Sequence, residues 1–201
     1  VEYLNGVIGK KRLSGLTGNI AFAGFTAPKL LWMREHEPQA FARIRRIMLP
    51  KDYINYILTG VHACDYSDAS GTLLLDVKNK RWSQEMLELC GLSLAQMPSL
   101  YESSACIGTV KPDIARALGL PQGVLVAAGA GDNAASAIGT GVVEDCRSFL
   151  TLGTSGVINT HIDTLRVDAQ GRVHTFCAAV PGAWLVVASQ QSAGLSMQWM
   201  R

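Results

Sequence analysis

The sequence predicts an α/β fold, and the prediction rests on a glycine-rich stretch at residues 123–156. Two short apolar runs within it, residues 124–128 and 148–152, have the length and composition of buried strands. A carboxylate, Asp132, follows the first run, and a Gly-Thr-Ser-Gly loop at residues 153–156 follows the second. The ends of buried strands are where α/β proteins place their chemistry, so both turns are candidate site segments.

The segment after the first predicted strand has two interpretations. Residues 129–131 are Gly-Ala-Gly, where the missing side chains let the backbone turn tightly and approach a ligand. Residues 134–139 then form a helix of small residues that can pack close to a sheet. Asp132 between them is either a general base opposite a phosphate loop at residues 153–156, or only the N-cap of the helix. Residue type alone does not decide between these roles.

The same segment also fits a dinucleotide-binding fingerprint, with Gly129, Gly131 and Ala134 at the required spacing. Two features disfavour this interpretation. Asp132 lies where the helix N-terminus would meet a pyrophosphate, so two negative groups would face each other. In addition, no second strand ending in Asp or Glu follows about 20 residues later, as a ribose contact would need.

Apolar spacing and capping residues predict the elements outside this stretch. Helices are expected at residues 26–36 with Thr26 as N-cap, 38–43, 51–58 with a stop at Gly60, 84–89 with Ser83 as N-cap, 112–118, and from 195 onward. Strands are expected at residues 44–49, 107–110, 173–179 and 184–188, the last two paired across a Pro-Gly turn. Residues 1–24 contain at most a weak helix at residues 1–4, and residues 65–72 form a polar turn.

Composition excludes several classes of protein. With 201 residues, 48% of them hydrophobic, the chain is long enough for one large or two small globular domains. The net charge of +2 comes from scattered charges of both signs, which give no footprint for nucleic acid or a membrane surface. No apolar run reaches the ~18 residues of a transmembrane helix. The five cysteines are widely spaced without a Cys-x-x-Cys pair, which argues against disulfides or a zinc site and favours the cytoplasm.

An ordered set of short motifs covers nearly the whole chain. They are GFTAPKLLW at residues 24–32, LPKDY at 49–53, Thr-Gly at 59–60, DYSDASGT at 65–72, Leu-Asp at 75–76 ahead of Trp82, GDNAA at 131–135 and LGTSG at 152–156. Any one of these motifs is a weak match, but together they are specific, and the set resembles the FGGY family of carbohydrate kinases.

The resemblance implies a ribonuclease H-like, actin-like α/β fold of two domains with a cleft between them, only partly covered by this chain. Residues 1–145 would be the latter part of the N-terminal sugar-binding domain, and residues 146–201 the beginning of the C-terminal nucleotide-binding domain. The implied activity is phosphorylation of a sugar hydroxyl by ATP with Mg²⁺. D-xylulose is the leading substrate, because Gly-Asp-Asn at residues 131–133 replaces the Gly-Asp-Gln usual in glycerol kinases. Another ketose or a polyol is the alternative substrate.

The resemblance also implies roles for individual residues. Asp132 would be the catalytic aspartate and would bind the sugar together with Asn133. The second phosphate motif would bind ATP through Gly153, Thr154, Ser155 and Gly156. Phosphoryl transfer needs positioning, charge neutralisation and a base that accepts the alcohol proton, and an aspartate carboxylate is suited to the last of these. No residue of this chain is assigned to a metal ion.

Three segments of the family pattern do not occur in the sequence. They are the Asp-x-Gly-Thr phosphate loop, the Met-His-Gly segment that contacts the sugar, and the adenine-binding part of the second domain. We therefore expect the chain to be an internal piece of a longer protein and to be inactive by itself. A non-catalytic sugar-binding or regulatory protein on the same fold is the alternative function. A homodimer is compatible with the resemblance.

Overall fold

A computed structural model describes residues 1–201 and contains helices and strands throughout. The α-helices are α1 (Lys10–Thr17), α2 (Thr26–His36), α3 (Pro38–Phe41), α4 (Pro50–Thr59), α5 (Tyr66–Ser70), α6 (Gln84–Cys90), α7 (Pro112–Ala117), α8 (Asp132–Gly139) and α9 (Gly194–Trp199). The strands are β1 (Ala63–Asp65), β2 (Leu75–Asp76), β3 (Arg81–Trp82), β4 (Ser99–Tyr101), β5 (Cys106–Thr109), β6 (Leu125–Ala127), β7 (Ser148–Leu152), β8 (Gly156–Ile162), β9 (His174–Cys177) and β10 (Trp184–Gln190). A π-helical turn, Tyr3–Gly9, leads into α1, and a 3-10 helix covers Leu94–Gln96.

The strands before and after α8 form different kinds of sheet. Before α8 they occur in pairs: β1 and β4 are parallel, whereas β2–β3 and β5–β6 are antiparallel. After α8 the chain forms one antiparallel sheet in the order β7-β8-β10-β9. The buried core of the first part is mainly helical and includes Leu4, Leu13, Leu74, Met86 and Leu87.

Buried hydrogen bonds join the four-stranded sheet to the helical part. Asn19 donates through Nδ2 to the Thr175 carbonyl at 2.8 Å, and its Oδ1 accepts from the Thr175 amide at 2.9 Å. The Ser70 hydroxyl of α5 accepts from the Cys177 amide of β9 at 3.0 Å. Because buried polar groups left unpaired are costly, these bonds fix how β9 lies against α5 and against the segment that follows α1.

Most predicted elements are present near their predicted bounds. Helix α4 ends at Gly60, which adopts φ 82° as a left-handed cap. The Ser83 side chain accepts from the Met86 amide and caps α6. Strands β9 and β10 are the expected antiparallel pair. Thr26 is the first residue of α2 rather than its N-cap, which is Phe25.

Three local predictions were wrong. Residues 44–49 form no strand, because the segment bonds to the 3-10 helix instead: the Ile47 amide donates to Gln96 and the Gln96 side chain donates to the Ile44 carbonyl. Residues 65–72 are not a polar turn, since Asp65 caps α5. Residues 1–17 are helical far beyond residue 4, because Leu4 and Leu13 are fully buried and tertiary packing overrides the glycines between them.

Candidate active site

Asp132 is the first residue of α8, and its side chain is exposed. The preceding residue, Gly131, occupies the N-cap position and caps without a side chain. One carboxylate oxygen of Asp132 accepts from the Asn133 amide at 2.8 Å and from the Asn133 side chain at 3.2 Å. The alternative in which Asp132 is itself the N-cap is therefore wrong for this structure. The helix N-terminus stabilises negative charge at this position.

The two predicted sugar-binding residues share one cleft of about 200 Å³. Asp132 and Asn133 form part of its wall, and residues from both halves of the chain complete it. The other lining residues are Phe25, Ser67, Asp68, Gly71, Gly131, Ala134, Phe176, Cys177 and Leu185. A larger cavity of about 650 Å³ lies beside Val1 and α2, but none of the predicted site residues lines it. The smaller cleft is the candidate site, because it brings carboxylates together with amide and apolar groups.

The dinucleotide interpretation fails on topology. A dinucleotide turn requires a strand, a helix and a second strand parallel to the first in the same sheet. Strand β6 instead pairs antiparallel with β5, and β7, the strand that follows α8, lies in the separate four-stranded sheet. The glycines before Asp132 therefore form a turn that is not part of a dinucleotide-binding unit.

A buried ion cluster lies directly behind this turn. The Lys51 ammonium on α4 lies 2.9 Å from a carboxylate oxygen of Asp52 and 3.0 Å from one of Asp65. Both aspartates are buried almost completely, and the two carboxylates raise the pKa of Lys51 despite the opposing effect of its burial. The same ammonium donates to the Ala128 carbonyl at 3.0 Å, at the end of β6. Lys51 therefore connects α4, β1 and the glycine turn.

A second carboxylate, Asp68, faces the cleft beside Asp132. Burial raises the pKa of Asp68 to about 6; Lys51 lowers this pKa, and Asp65, Asp52 and Asp132 raise it further. Its closest approach to the Lys51 ammonium is 3.9 Å, so this ion pair is long. An acid with a shifted pKa in a cleft is a recognised mark of a functional site.

Asn159 of β8, in the second half of the chain, contacts one of the predicted sugar-binding residues. Its side chain is fully buried and donates to the Asn133 side-chain oxygen at 3.3 Å. With its oxygen accepting that bond, Asn133 directs its amide group toward the Asp132 carboxylate. The bond from Asn159 is thus consistent with the side-chain amide of Asn133 facing Asp132.

The loop at residues 153–155 connects β7 and β8 as a tight hairpin and does not line the cleft. Residues 153–155 are exposed, and the amides of Thr154 and Ser155 donate no hydrogen bond within the chain. The loop carbonyls accept from the first residues of α9: the Gly194 amide donates to Gly153 at 3.0 Å. Within β8, Asn159 lies three residues beyond Gly156, which is roughly 10 Å at the rise of an extended strand.

Sequence reasoning missed several residues that shape the cleft. The motifs LPKDY and DYSDASGT were noted for their resemblance, yet no role was assigned to Lys51, Asp65, Ser67 or Asp68. The available signal was a lysine beside an aspartate on the polar side of an amphipathic helix. Asn159 gave no signal, because its contact with Asn133 depends on how the two halves of the chain pack.

Comparison with known proteins reveals relatives across almost the whole chain. The model of the "FGGY family of carbohydrate kinases, N-terminal domain" matches residues 1–139. Xylulose kinase of Escherichia coli strain K12 is 45% identical over 92% of this chain, and that of Bacillus subtilis strain 168 is 38% identical over 94%. The chain spans 38% of the length of each of these relatives.

Solved structures of similar fold agree. A xylulose kinase from Brucella ovis superposes with a TM-score of 0.90 at 44% identity, covering 93% of this chain and 39% of that one. The glycerol kinase of Plasmodium falciparum superposes at 0.86 but is only 19% identical, so it supports the fold alone. The α/β, actin-like kinase fold expected from the sequence, only partly covered by this chain, is confirmed. The match over residues 1–139 and these relatives together show that the chain belongs to the FGGY family of carbohydrate kinases.

Proposed function

We propose that this chain is part of a kinase that transfers the γ-phosphoryl group of ATP to a hydroxyl of D-xylulose, giving D-xylulose 5-phosphate. The observation that carries the proposal is the cleft in which Asp132, at the positive end of α8, lies beside Asn133. A carboxylate and an amide side by side suit a polyhydroxylated ligand, since one accepts and the other both donates and accepts hydrogen bonds. The relatives named above are xylulose kinases, which supports the choice of sugar.

Asp132 is the proposed general base. Its carboxylate is exposed to the cleft and keeps one oxygen without a hydrogen-bond partner in the chain. That oxygen can accept the proton of a sugar hydroxyl as the hydroxyl attacks the phosphoryl group. Asn133, held by Asn159, is the proposed partner of a neighbouring sugar hydroxyl.

The proposed ATP contacts are Gly153, Thr154, Ser155 and Gly156. The unpaired amides and hydroxyls of Thr154 and Ser155 fit an anionic oxygen, because exposed backbone N–H groups in a tight turn form an anion-binding concavity. When bound, Mg²⁺ supplies neutralisation of the phosphate charge. The chain's own part is to hold the base and one phosphate loop, and we assign none of its residues to the metal.

The domain boundary proposed here lies between residues 145 and 146, in the connection between α8 and β7. Residues 1–145 would belong to the sugar-binding domain and residues 146–201 to the nucleotide-binding domain. No helix in the structure combines the length and apolar character needed to span a bilayer. We propose a cytoplasmic enzyme with sugar and ATP as its ligands, and a homodimer as its assembly.

The test uses the full-length protein that carries this chain, incubated with Mg-ATP and D-xylulose. Formation of xylulose 5-phosphate is expected, and Asp132→Asn should lower kcat by about 100-fold or more while changing sugar affinity only several-fold. The amide keeps the shape of the side chain but cannot accept the proton. Calorimetric titration of sugar binding to the variant separates the base role from binding.

Two results would contradict the proposal. Tight xylulose binding without any turnover by the unsubstituted protein would favour the non-catalytic sugar-binding alternative. Faster turnover of another ketose or a polyol would keep the kinase and change its substrate. The 201-residue chain alone serves as the negative control, because it provides only the base and one phosphate loop and is expected to show no turnover.

A further inference from the structure

The turn before Asp132 is held at both of its ends by side chains. At one end, the Ala128 carbonyl accepts from the Lys51 ammonium at 3.0 Å and from the Asn55 side chain at 3.1 Å. At the other end, the Gly131 amide donates to the Ser67 hydroxyl at 3.0 Å. Gly131 is the N-cap of α8, so the Ser67 bond acts on the residue directly before Asp132.

The Ser67 hydroxyl is itself oriented by Asp65. Asp65 is fully buried, and its Oδ2 accepts from the Ser67 amide at 2.8 Å, from the Ser67 hydroxyl, and from the Ser103 hydroxyl at 3.1 Å. A serine hydroxyl has a single proton, and Ser67 uses it to donate a hydrogen bond to the Asp65 carboxylate. The lone pairs of the Ser67 oxygen therefore face Gly131, where only an acceptor is useful.

The position of Lys51 reinforces this orientation. Its ammonium lies 3.0 Å from the other oxygen of Asp65, so a positive charge faces that buried carboxylate. A charged acceptor makes a stronger hydrogen bond than a neutral one. The buried groups thus form one connected path from Lys51 through Asp65 and Ser67 to the Gly131 amide.

We propose that Ser67 is a positioning residue for Asp132: held by Asp65, its hydroxyl fixes the Gly131 amide and with it the direction of the carboxylate at the start of α8. This inference rests on the proposed role of Asp132 as the base. Ser67 acts on turnover through the backbone and makes no bond to the sugar. Proton transfer is sensitive to the distance between base and hydroxyl, and a displacement of about 1 Å can cost up to 100-fold in rate.

The test compares Ser67→Ala with Ser103→Ala in the full-length protein. Both substitutions remove one buried hydroxyl bonded to the same oxygen of Asp65, but only Ser67 contacts Gly131. The Ser103 backbone carbonyl, which accepts from the Gly129 amide, is kept in the control. We expect Ser67→Ala to lower kcat by about 10- to 100-fold at near-constant sugar and ATP KM, and Ser103→Ala to change kcat less than about 3-fold.

Hydrogen exchange of the Gly131 amide gives a readout that does not depend on turnover. The amide should exchange at least about 10-fold faster in Ser67→Ala than in Ser103→Ala, since only the first loses its acceptor. Equal exchange in the two variants, equal kcat, or a rise in sugar KM confined to Ser67→Ala would each overturn the positioning role. The last result would mean that Ser67 touches the sugar.

A second variant covers the case in which Ser67→Ala does not fold. Ser67→Cys keeps nearly the same shape, and its thiol is only a weak acceptor. We therefore expect the same fall in kcat as in Ser67→Ala, with the sugar and ATP KM values again nearly constant. A cysteine variant with normal kcat and normal Gly131 exchange would overturn the inference. If the unsubstituted protein does not phosphorylate xylulose, the proposed function fails, whereas the exchange comparison still tests the contact of Ser67 with the turn.

Discussion

The turn before Asp132 and the loop at residues 153–155 are both short glycine-containing connections, but they are held in different ways. The turn is fixed at one end by Lys51 of the buried ion cluster and at the other by Ser67, which is bonded to Asp65 of that cluster. The loop is exposed, and its contacts with α9 are backbone hydrogen bonds. The leucines next to it are also exposed: 54% of Leu150 and 70% of Leu152 are accessible.

The difference shows how much of each proposed task the chain performs by itself. The proposed base is preorganised by groups within the chain, which reduces the reorganisation that remains when substrate binds. The proposed phosphate loop presents two amides that have no hydrogen-bond partner in the chain, so we expect its final arrangement to depend on what it binds. Substitutions near the turn should therefore act on stability and kcat, and substitutions in the loop on ATP binding.

The largest effect is expected from Lys51→Met, which removes the only cation bonded to Asp52 and Asp65. Two carboxylates would remain buried without a counter-charge, so we expect the free energy of unfolding to fall by about 3–5 kcal/mol. Methionine keeps the length of the side chain, which limits the loss of packing. Urea unfolding followed by circular dichroism measures the change.

The matched control is Arg12→Met, which removes a surface ion pair with Glu85. Both of these side chains are largely exposed, at 56% and 43%, and such pairs contribute about 1 kcal/mol or less. If the two variants lose equal stability, the buried cluster does not hold the turn as described.

The chain's sequence predicted the site better where function depends on local pattern than where it depends on packing. Asp132 was identified because a carboxylate follows an apolar run and a glycine turn, and Asn133 was identified through the resemblance to the FGGY family. The structure places both in one cleft. Asn159 was not found, because an asparagine in a strand carries no local sign that it will meet Asn133. The roles of these residues in binding and catalysis stay predictions.

The secondary-structure predictions show the same difference between local signals and tertiary packing. Helix α6 was predicted from its serine cap and α4 from its glycine stop, which are local signals. The helical start of the chain was missed because three glycines lower its propensity while burial of Leu4 and Leu13 stabilises it. The apolar residues Tyr53, Ile54 and Ile57 occur at helical spacing in α4, yet all three are exposed in this chain.

A smaller effect, dependent on pH, is expected from Asp68→Asn. The pKa of Asp68 is raised to about 6, chiefly by burial, so the folded state favours the neutral acid. Its contribution to stability is therefore complete below about pH 4 and is lost as the pH rises through about 6. Asparagine removes this loss, and we expect the variant to be about 1–3 kcal/mol more stable than the parent at pH 8.

The pH dependence of that difference provides the control. The stability gained by Asp68→Asn should grow between about pH 4 and pH 7 and then stay constant, because the other titrating groups are common to both proteins. The charged groups that act on Asp68 are Lys51, Asp65, Asp52 and Asp132. A gain that does not change with pH would show that Asp68 is not kept neutral by its surroundings.

The smallest effect on the fold, and the sharpest test of the loop, is expected from Gly153→Ala. A methyl group at this position would meet only the Ser155 carbonyl, at 3.9 Å, so it enters open space and the melting temperature should not change. If the loop binds the phosphates of ATP, that space is where a phosphate oxygen lies, and the KM for ATP should rise by about 10-fold at constant sugar KM.

Gly139→Ala is the matched control, since its methyl group meets nothing within 4 Å and lies at the end of α8, away from the loop's proposed ligand. Gly194→Ala differs from both, because its methyl group would lie 2.3 Å from the Gly153 carbonyl and must displace the loop. A rise in the sugar KM alone in Gly153→Ala would mean that the loop contacts the sugar and not ATP, so that the turn before Asp132 and this loop would serve the same ligand.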